Sequence, residues 1–546
     1  MRKLKTVLAL LLVAVLCLSL FAACAGSKET TTPSTTTPST TTPSSNTPAP
    51  SSNTPASSEE TPPANEPENE EPETYDPEDY VEIVMYYFDL RMVGADFGEH
   101  IKTKLNEYLG PKYGIQLDLK WLTVGDWIQK VQLSISGGER IDLMNFAVNC
   151  GVQTLYNNHM AMDITDYMES EASEAMQVMK DYLDCFRFDG RLYGLPTYRG
   201  LVKNDYIVLR KDILEELGML ELAENMDSLE QYEEIMAAVK DNYTATTGLY
   251  ALSKEGGKSC MPAGLWDGKK FSDAVLYETI GDGTGMVMVL RNGENKVEWL
   301  QDDPRYEQKL QWVKTWRDNG WVYPDSALID THGDELMKQG VSFSVFTGSE
   351  YGVEAVKSGN CGHPVVCPLY LNAIITTGNV MGWGIGVPVT AEEPEAACRM
   401  INALYTDAYV MNLLTRGEEG VDYTVVDGEI VYPEEGHYYE ADFLLGNNAL
   451  LLPLQGQGAD YFEQIVRINN EAPISDYLGF VLVTGDLQDY ISAFSAITDQ
   501  YSPDLCTGNY TPEMFEAYKT ALENADVHGY LNAVQAQLDA WIAANK

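Results

Sequence analysis

Aromatic side chains are the residues of this sequence best suited to binding chemistry. The chain contains 33 Tyr and 9 Trp, whose rings can stack on the C–H face of a sugar while their polar ends reach hydroxyl groups. Trp383 lies between two glycines, which allow close backbone approach, and Tyr198 and Arg199 follow a turn at Pro196. We therefore expect Trp383, Tyr198 and Arg199 to contact a ligand. A core position for Trp383 and a structural ion pair for Arg199 are the alternatives.

Motifs of common enzyme classes are absent from the sequence. The stretch Gly281–Gly285 begins like a dinucleotide-binding loop, but Met286 stands where the third glycine belongs. No phosphate-binding loop, nucleophile elbow or H-E-x-x-H zinc motif occurs. A glycosidase carboxylate pair has no fixed spacing, so the 82 acidic residues leave that chemistry open. We predict no enzyme, no cofactor and no metal site.

Strands that alternate with helices are predicted to position the candidate residues. Strands are expected at Val81–Tyr87, Ile115–Trp121 and Ile141–Phe146, with helices at 96–109, ended by Gly110-Pro111, and at 126–133. This order predicts a parallel, doubly wound sheet. Ligands of such sheets bind outside the carboxyl ends of the strands. The candidate ligand contacts near those ends are Tyr87, Phe88, Trp127, Asn145 and Phe146.

A strand near residue 206 is predicted to link two parts of the chain. Asp189-Gly190 favours a two-residue hairpin turn, and the apolar run Tyr206–Leu209 favours a strand covered on both faces. A helix should follow, capped by Asp212 and stopped by Gly218. Because a separate block of helices lies downstream, we interpret this strand as a bridge between two lobes.

The sequence around this bridge resembles extracellular solute-binding proteins, family one type, of bacterial ABC importers. The resemblance is carried by Tyr193–Pro196, by the strand running into Arg210–Asp212, by Gly382–Pro388, and by Leu404–Leu414 with the glycines that follow. It extends to Lys546 and is similar to lipoprotein-type members with a C-terminal extension. It implies a two-lobed α/β periplasmic-binding-protein-like fold of type II, in which each lobe is a doubly wound sheet and the ligand cleft lies between the lobes.

The resemblance also implies lobe boundaries and two more site residues. Lobe one should comprise residues 79–205 and 358–420, and lobe two residues 206–357 and 421–546, the latter including the C-terminal helices. Val365–Leu369 and Ile385–Val389 are expected to return the chain to lobe one. Thr347–Gly352 should face the cleft, which adds Ser349 and Glu350 to the candidate ligand contacts.

Several helices of the second half are predicted from capping residues. Ser228 with Gln231 forms a capping box, Pro304 starts a helix that ends at Asn319-Gly320, and Thr511 caps another with Pro512 at its first position. Trp312 and Trp316 are assigned to the core, and Trp541 is expected to cover the C-terminal helices.

The N-terminus reads as a secretion signal followed by a tether. Basic residues precede an apolar run from Val7 to Ala25, and small residues lead into Cys24, which is typical of a lipoprotein signal at 1–23 with lipid attached to Cys24. An uncleaved membrane anchor is the alternative. Residues 24–78 are rich in Ser, Thr, Pro and Glu and are predicted to be a disordered spacer.

Charge and cysteine content narrow the range of partners. The formal net charge is −46, and residues 80–546 hold 32 basic against 71 acidic residues, which argues against nucleic acid. Seven cysteines remain after Cys17 and Cys24, and no C-x-x-C pair occurs. We expect buried free thiols, with one disulfide between Cys361 and Cys367 as the alternative.

The leading functional hypothesis is a carbohydrate receptor on the outer face of the cell membrane of a monoderm bacterium. It would be a lipid-anchored monomer that captures a sugar, in the first instance an oligosaccharide, and delivers it to ABC permease subunits. A surface glycan hydrolase and a peptide receptor of the same fold are the alternatives.

Overall fold

The computed structural model describes residues 74–91, 94–256, 259–434 and 436–545, without the side chains of 94–96. The proposed signal, Cys24 and the tether up to residue 73 lie outside the described residues. No helix within these ranges is both long and apolar enough to cross a membrane.

The strands are β1 Val81–Asp89, β2 Ile115–Thr123, β3 Leu143–Phe146, β4 Arg187–Phe188, β5 Arg191–Leu192, β6 Leu195–Pro196, β7 Asn204–Arg210, β8 Tyr250–Leu252, β9 Leu265–Trp266, β10 Ala274–Val275, β11 Tyr277–Glu278, β12 Val287–Leu290, β13 Val297–Trp299, β14 Ser342–Ser349, β15 Val365–Val366, β16 Leu369–Leu371, β17 Gly384–Gly386, β18 Thr424–Val426 and β19 Glu429–Val431.

The α-helices are α1 Gly94–Tyr113, α2 Val124–Ser136, α3 Val152–Asn157, α4 Thr165–Glu171, α5 Ser173–Val178, α6 Lys211–Leu217, α7 Leu220–Glu224, α8 Leu229–Val239, α9 Ala245–Thr247, α10 Pro304–Asp318, α11 Gly333–Lys338, α12 Val353–Cys361, α13 Thr377–Met381, α14 Pro394–Thr406, α15 Ala408–Arg416, α16 Tyr461–Glu471, α17 Gln488–Leu505, α18 Pro512–Asn524 and α19 Val527–Asn545.

The first lobe is built on a five-stranded sheet of order β2-β1-β3-β17-β6. β1 runs parallel to β2 and β3, whereas β17 is antiparallel to both β3 and β6. Helices follow β1 and β2, as the alternating pattern predicts. The predicted α/β architecture is confirmed, with the difference that strands arriving late in the sequence complete the sheet in the opposite direction.

The second lobe is built on a sheet of order β15-β7-β14-β8, with β16 also paired to β7. β7 lies between strands from later in the chain and is buried from Ile207 to Arg210, as its uninterrupted apolar sequence predicts. The hairpin before it is also confirmed, since Asp189 and Gly190 both have positive φ, 50° and 76°. The bridge between the two sheets is therefore residues 197–203, between β6 and β7.

A third layer joins the middle of the chain to its C-terminus. The small sheet β11-β12-β13 shares one hydrophobic cluster with residues of α10, α17, α18 and α19. Thr511 caps α18 through the amide of Met514, and Pro512 occupies its first position, as predicted. We call residues 476–545 the extension, because most of its apolar side chains pack on this small sheet rather than on the two large ones.

The chain re-enters the first lobe later than the sequence predicts. Val365–Val366 and Leu369–Leu371 pair with β7 in the second lobe, and only β17 returns to the first sheet. Tyr438, Leu444 and Phe462 also belong to the core of the first lobe. The predicted boundaries at 358 and 421 therefore do not coincide with the packing, because strand pairing and core contacts cross both positions.

Three predicted helix signals are wrong in detail. α1 continues through Gly110-Pro111 to Tyr113, and Gly114, with φ of 66°, follows its end. Asp212 does not cap α6, since Arg210 holds the cap position and its Nε bonds Asp212 Oδ1 at 3.1 Å. The capping box at Ser228 does not form, because the Gln231 side chain accepts from the amide of Asp227 instead.

The aromatic and cysteine side chains of the core mostly follow the sequence interpretation. Trp312 and Trp316 are buried in the second lobe, and Trp541 packs edge-on against Phe480 in the extension. The seven cysteines from Cys150 to Cys506 are all buried free thiols, so Cys361 and Cys367 form no disulfide.

Candidate functional site

The bridge places Arg199 in an ion pair between the lobes. Its Nη1 lies 2.8 Å from Oε1 of Glu350, the residue after β14, and also donates to the carbonyl of Gly200. Its Nη2 donates to the carbonyl of Asn379 in α13 at 3.0 Å. Arg199 is 6% exposed. The guanidinium therefore binds groups of this chain, which supports the structural alternative for Arg199 rather than ligand contact.

Burial controls the electrostatics of this pair. Burial raises the pKa of the Glu350 carboxyl above its usual value, and the positive charges of Arg199 and Lys203 only partly oppose the shift. Arg199 stays protonated because an arginine side chain does not lose its proton in proteins. Ser349 ends β14 opposite Asn204 and is half-buried, so Ser349 and Glu350 lie where the second lobe meets the bridge.

Trp383 lies on the first-lobe side of the same junction. Its ring centroid is 5.0 Å from that of Phe443 and 5.8 Å from that of Phe88. Its carbonyl accepts from the amide of Thr197 in the bridge. The side chain is half-buried. Trp383 and Phe443 thus form an aromatic surface with its inner face on the core and part of its area still exposed.

Tyr198, which follows Thr197 in the bridge, is held by its backbone. Its amide donates to the carbonyl of Gly446 and its carbonyl accepts from the amide of Asn448. The ring is half-buried, and burial raises the pKa of its hydroxyl. The position of Tyr198 is therefore fixed by main-chain bonds, which leaves the partly exposed ring available for contact.

Five of the residues predicted to contact a ligand are buried instead. They are at most 1% exposed: Tyr87, Phe88, Trp127, Asn145 and Phe146. Phe88 packs edge-on against Trp127, and Asn145 accepts from the amide of Phe88 while donating to the carbonyl of Leu444. Four of them lie near the ends of β1 and β3 as expected, and Trp127 lies in α2. However, α2 and the late segment 438–446 cover them, so they support Trp383 and Phe443 from below.

A buried pair of carboxyl groups lies at the end of β1. Glu440 is fully buried and within hydrogen-bond reach of Asp89, the last residue of β1. Burial, and then the neighbouring Asp89, raise the pKa of Glu440 to about 9. Two carboxylates cannot hydrogen-bond each other without a proton. Glu440 therefore holds a proton at neutral pH.

The short helix α13 lies between two cavities at the junction. One, of about 280 Å³, is lined by α3 residues of the first lobe, by Thr377 and Met381 of α13, and by Phe480 and Leu482 of the extension. The other, of about 220 Å³, is lined by Tyr277, Leu371 and Asn379 among others. Pockets for small molecules are usually about 300–1,000 Å³, so the first cavity is near the lower limit.

One cluster of possible metal ligands is found in the part of the chain described above. It consists of Glu255, His332 and Asp334. The ammonium group of Lys357 bonds both carboxylates, at 3.0 Å from Asp334 Oδ1. The Lys357 ammonium pairs with both carboxylates, and the His332 side chain is exposed, so the cluster is a partly buried ion-pair network.

Sequence reasoning missed the segment that completes the junction. Asp442, Phe443 and Glu440 come from a stretch with no helical or alternating pattern, and Asn469 bonds both the carbonyl of Arg199 and the amide of Leu201. Asp442 pairs with the buried Arg416 at 3.1 Å. No local signal marks these residues, because their roles come only from contacts with parts of the chain far away in sequence.

Comparison with known proteins establishes the family. The sequence profile described as bacterial extracellular solute-binding protein matches residues 110–417, more than half of the chain. The chain belongs to this family. A second profile, a domain of unknown function, matches residues 476–543, which is nearly the whole extension. The recognition made from the sequence is therefore confirmed at family level.

Relatives of this solute-binding protein are found among streptococcal and bifidobacterial proteins. A carbohydrate ABC transporter substrate-binding protein of Streptococcus pneumoniae is 21% identical over 463 residues, covering 82% of this chain and 89% of its own. The crystal structure of the N-glycan transport solute binding protein NgtS from Streptococcus pneumoniae is 19% identical, with a TM-score of 0.70 over 85% of this chain and 100% of its own.

A third similar structure is an extracellular solute-binding protein from Bifidobacterium longum subsp. infantis. It is 13% identical, with a TM-score of 0.59 over 85% of this chain and 98% of its own. At these identities the likeness concerns the fold. The two-lobed architecture of solute-binding proteins is therefore confirmed for this chain.

Proposed function

We propose that this solute-binding protein captures a carbohydrate at the lobe junction and delivers it to the permease subunits of an ABC importer. The observation that carries the proposal is the half-exposed aromatic surface of Trp383 and Phe443, together with the half-buried Tyr198 in the adjoining bridge. Flat rings with nearby carboxylates suit a sugar, whose ring has an apolar C–H face and a polar edge of hydroxyl groups. Binding and release need no chemical step, so the function proposed is that of a receptor.

The relatives support the class of ligand. One is named a carbohydrate ABC transporter substrate-binding protein, and NgtS has been solved with Man1GlcNAc and with Man5GlcNAc. We extend this to the present chain and propose an oligosaccharide ligand. We propose as residue-level contacts Trp383, Tyr198 and Phe443, with Glu350 and Ser349 at the second-lobe edge.

Binding is tested by calorimetry and thermal shift with purified residues 74–546. The panel contains neutral oligosaccharides of increasing length, including Man1GlcNAc and Man5GlcNAc, and peptides of matched mass. A ligand that binds only the folded state raises the melting temperature by mass action. We expect sugars to do so and peptides not to. Release of smaller sugars during incubation, or binding of peptides alone, would contradict the proposal.

We further propose that the chain is a monomer attached to the outer face of the membrane through a diacylglycerol on Cys24. The reason is the small-residue stretch that leads into this cysteine after a basic and then apolar segment. Wild type should fractionate with membranes, whereas Cys24→Ala should neither be lipidated nor mature at that site. Equal membrane retention and unchanged processing of the variant would refute the anchor.

A further inference from the structure

The extension reaches across the junction to the first lobe. Leu482 accepts a hydrogen bond at its carbonyl from Nε2 of Gln153 in α3, at 3.1 Å. Thr377 of α13 donates to the carbonyl of Tyr477 at 3.2 Å and accepts from the amide of Gly479 at 3.0 Å. The first residues of the extension therefore contact both the first lobe and the helix between the two cavities.

The rest of the extension is attached to the second-lobe side of the molecule. Tyr530 donates to Asp282 at 2.7 Å, the side chain of Gln535 accepts from the amide of Val297 at 2.7 Å, and Lys519 pairs with Asp302. One structural unit thus holds the small sheet at one end and contacts the first lobe at the other. Residues 480–484 therefore lie next to α3 and α13.

Phe480, Val481, Leu482 and Thr484 line one part of the 280 Å³ cavity, and residues at the start of α3 line another. Of the twelve described residues that line it, none is charged. Apolar side chains such as Val152, Met381 and Leu482 alternate with the hydroxyl groups of Thr154 and Thr484. Met381 is two positions before Trp383, so one short segment contributes to both the cavity and the aromatic surface.

We infer that this cavity is a subsite for one neutral sugar unit of a bound oligosaccharide, with residues 480–484 of the extension as its outer wall. The inference rests on the proposed carbohydrate function. It assigns a ligand-binding role to the domain of unknown function. A uronic or sialic acid unit is excluded because a buried carboxylate would have no positive partner among the lining residues. The sugar unit bound here lies beyond the unit that contacts Trp383. The subsite therefore makes affinity depend on the length of the oligosaccharide.

The test fills the cavity from each wall separately. Thr154 is exposed, Thr484 is half-buried, and neither side chain makes a hydrogen bond within the described structure. Thr154→Trp and Thr484→Trp should therefore fold and occupy the space. Thr520→Trp, on the exposed surface of α18, is the matched control within the extension. Melting temperatures of the ligand-free variants verify folding.

Affinity is measured for the Man1GlcNAc and Man5GlcNAc probes. Both cavity variants should weaken Man5GlcNAc binding about tenfold and leave Man1GlcNAc within about twofold of wild type. The control should change neither. A glycan of the same length with a uronic acid in place of one outer unit should bind the cavity variants with the same affinity as wild type, because it does not occupy the subsite.

The outcomes separate the two proposals. If wild type binds neither probe and no other glycan of the panel, the carbohydrate function is refuted, and the subsite with it. If both probes bind and the cavity variants leave the preference for length unchanged, only the subsite is refuted. If Thr154→Trp weakens Man5GlcNAc binding and Thr484→Trp does not, the extension is not a wall of the site.

Discussion

At the scale of single residues, exposure separates ligand-contacting side chains from supporting ones. Trp383 and Tyr198 are half-buried, whereas Phe88, which contacts Trp383, and Trp127 are almost completely buried. The same residue type therefore has different expected consequences when it is truncated. Substitution of a core Trp or Phe by Ala costs about 3–5 kcal/mol of stability. Substitution of a ring with one face exposed costs less.

We expect Trp383→Ala and Tyr198→Ala each to weaken sugar binding about tenfold or more. The melting temperature of the ligand-free protein should stay near that of wild type. The control is Trp321→Ala, because Trp321 is also half-buried and packs on a core, that of the second lobe, but does not belong to the junction. That variant should lose stability and keep its affinity. Loss of stability with affinity retained in the Trp383 and Tyr198 variants would return both rings to a structural role.

The raised pKa of Glu440 should make the free energy of unfolding depend on pH. Its pKa is raised in the folded state to about 9 from an ordinary value of 4.5. The folded state therefore binds more protons than the unfolded state between these values. It follows that the free energy of unfolding decreases as pH rises from 4.5 to 9. Below pH 4.5 the carboxyl group is protonated in both the folded and the unfolded state. It then adds no pH dependence to the free energy of unfolding.

The variant Glu440→Gln removes this titration and keeps a similar shape. Its melting temperature should fall less than that of wild type between pH 5 and pH 9. The difference should be largest at the alkaline end, roughly 2 °C or more. Glu298→Gln is the control, since Glu298 is partly exposed and pairs with Lys296 on the surface. Parallel curves for wild type and Glu440→Gln would show that Glu440 is ionised throughout this range.

At the scale of elements, the bridge is defined by its polar contacts more than by its own conformation. Residues 197–203 have no regular structure, yet Arg199 connects them to β14 and α13, and Asn469 connects them to α16. The bridge is therefore positioned by three separate elements. A single substitution that removes one of these contacts should therefore destabilise the junction.

We expect Glu350→Gln to lower stability by about 1–3 kcal/mol, because the buried Arg199 guanidinium loses its charged partner. Urea unfolding measures the effect. The control, Lys130→Gln, breaks an exposed pair with Asp126 and should change stability by less than about 0.5 kcal/mol. Equal effects of the two variants would mean that the Arg199–Glu350 pair behaves as a surface pair.

At the scale of the whole molecule, the two sheets are linked by segments that can act as a hinge. The bridge at 197–203 and the segment between β16 and β17 both pass from one sheet to the other. Hinge closure around a ligand is a rigid-body change in which secondary structure is preserved. Ligand can drive it only to the extent that it binds the closed form more tightly.

Saturating oligosaccharide should therefore reduce the radius of gyration measured by solution scattering and leave the helix content by circular dichroism unchanged. Trp383→Ala at the same sugar concentration should show a smaller decrease in the radius of gyration, because a smaller fraction of the protein has sugar bound. An unchanged radius in wild type, with binding verified by calorimetry, would contradict lobe closure.

The sequence by itself determined the features that depend on neighbouring residues. Short apolar-rich runs predicted β1, β2 and β3, with alternation visible in β1, and Asp189-Gly190 predicted the hairpin, since only a few residue types accept positive φ at such a turn. Local reasoning failed where a long-range contact competes with a local signal. Gly110-Pro111 lies inside α1, and the strands after residue 365 pair with β7 before the chain returns.

Only the tertiary structure decided the candidate site. Arg199 and Glu350 are 151 positions apart, Trp383 meets Phe443, and Asp89 at the end of β1 meets Glu440. The strand-end position of Phe88 and Asn145 was predictable, but their burial was not, because the segment that covers them follows some 300 residues later. Burial and pairing depend on which distant surfaces meet, and no local preference encodes that choice.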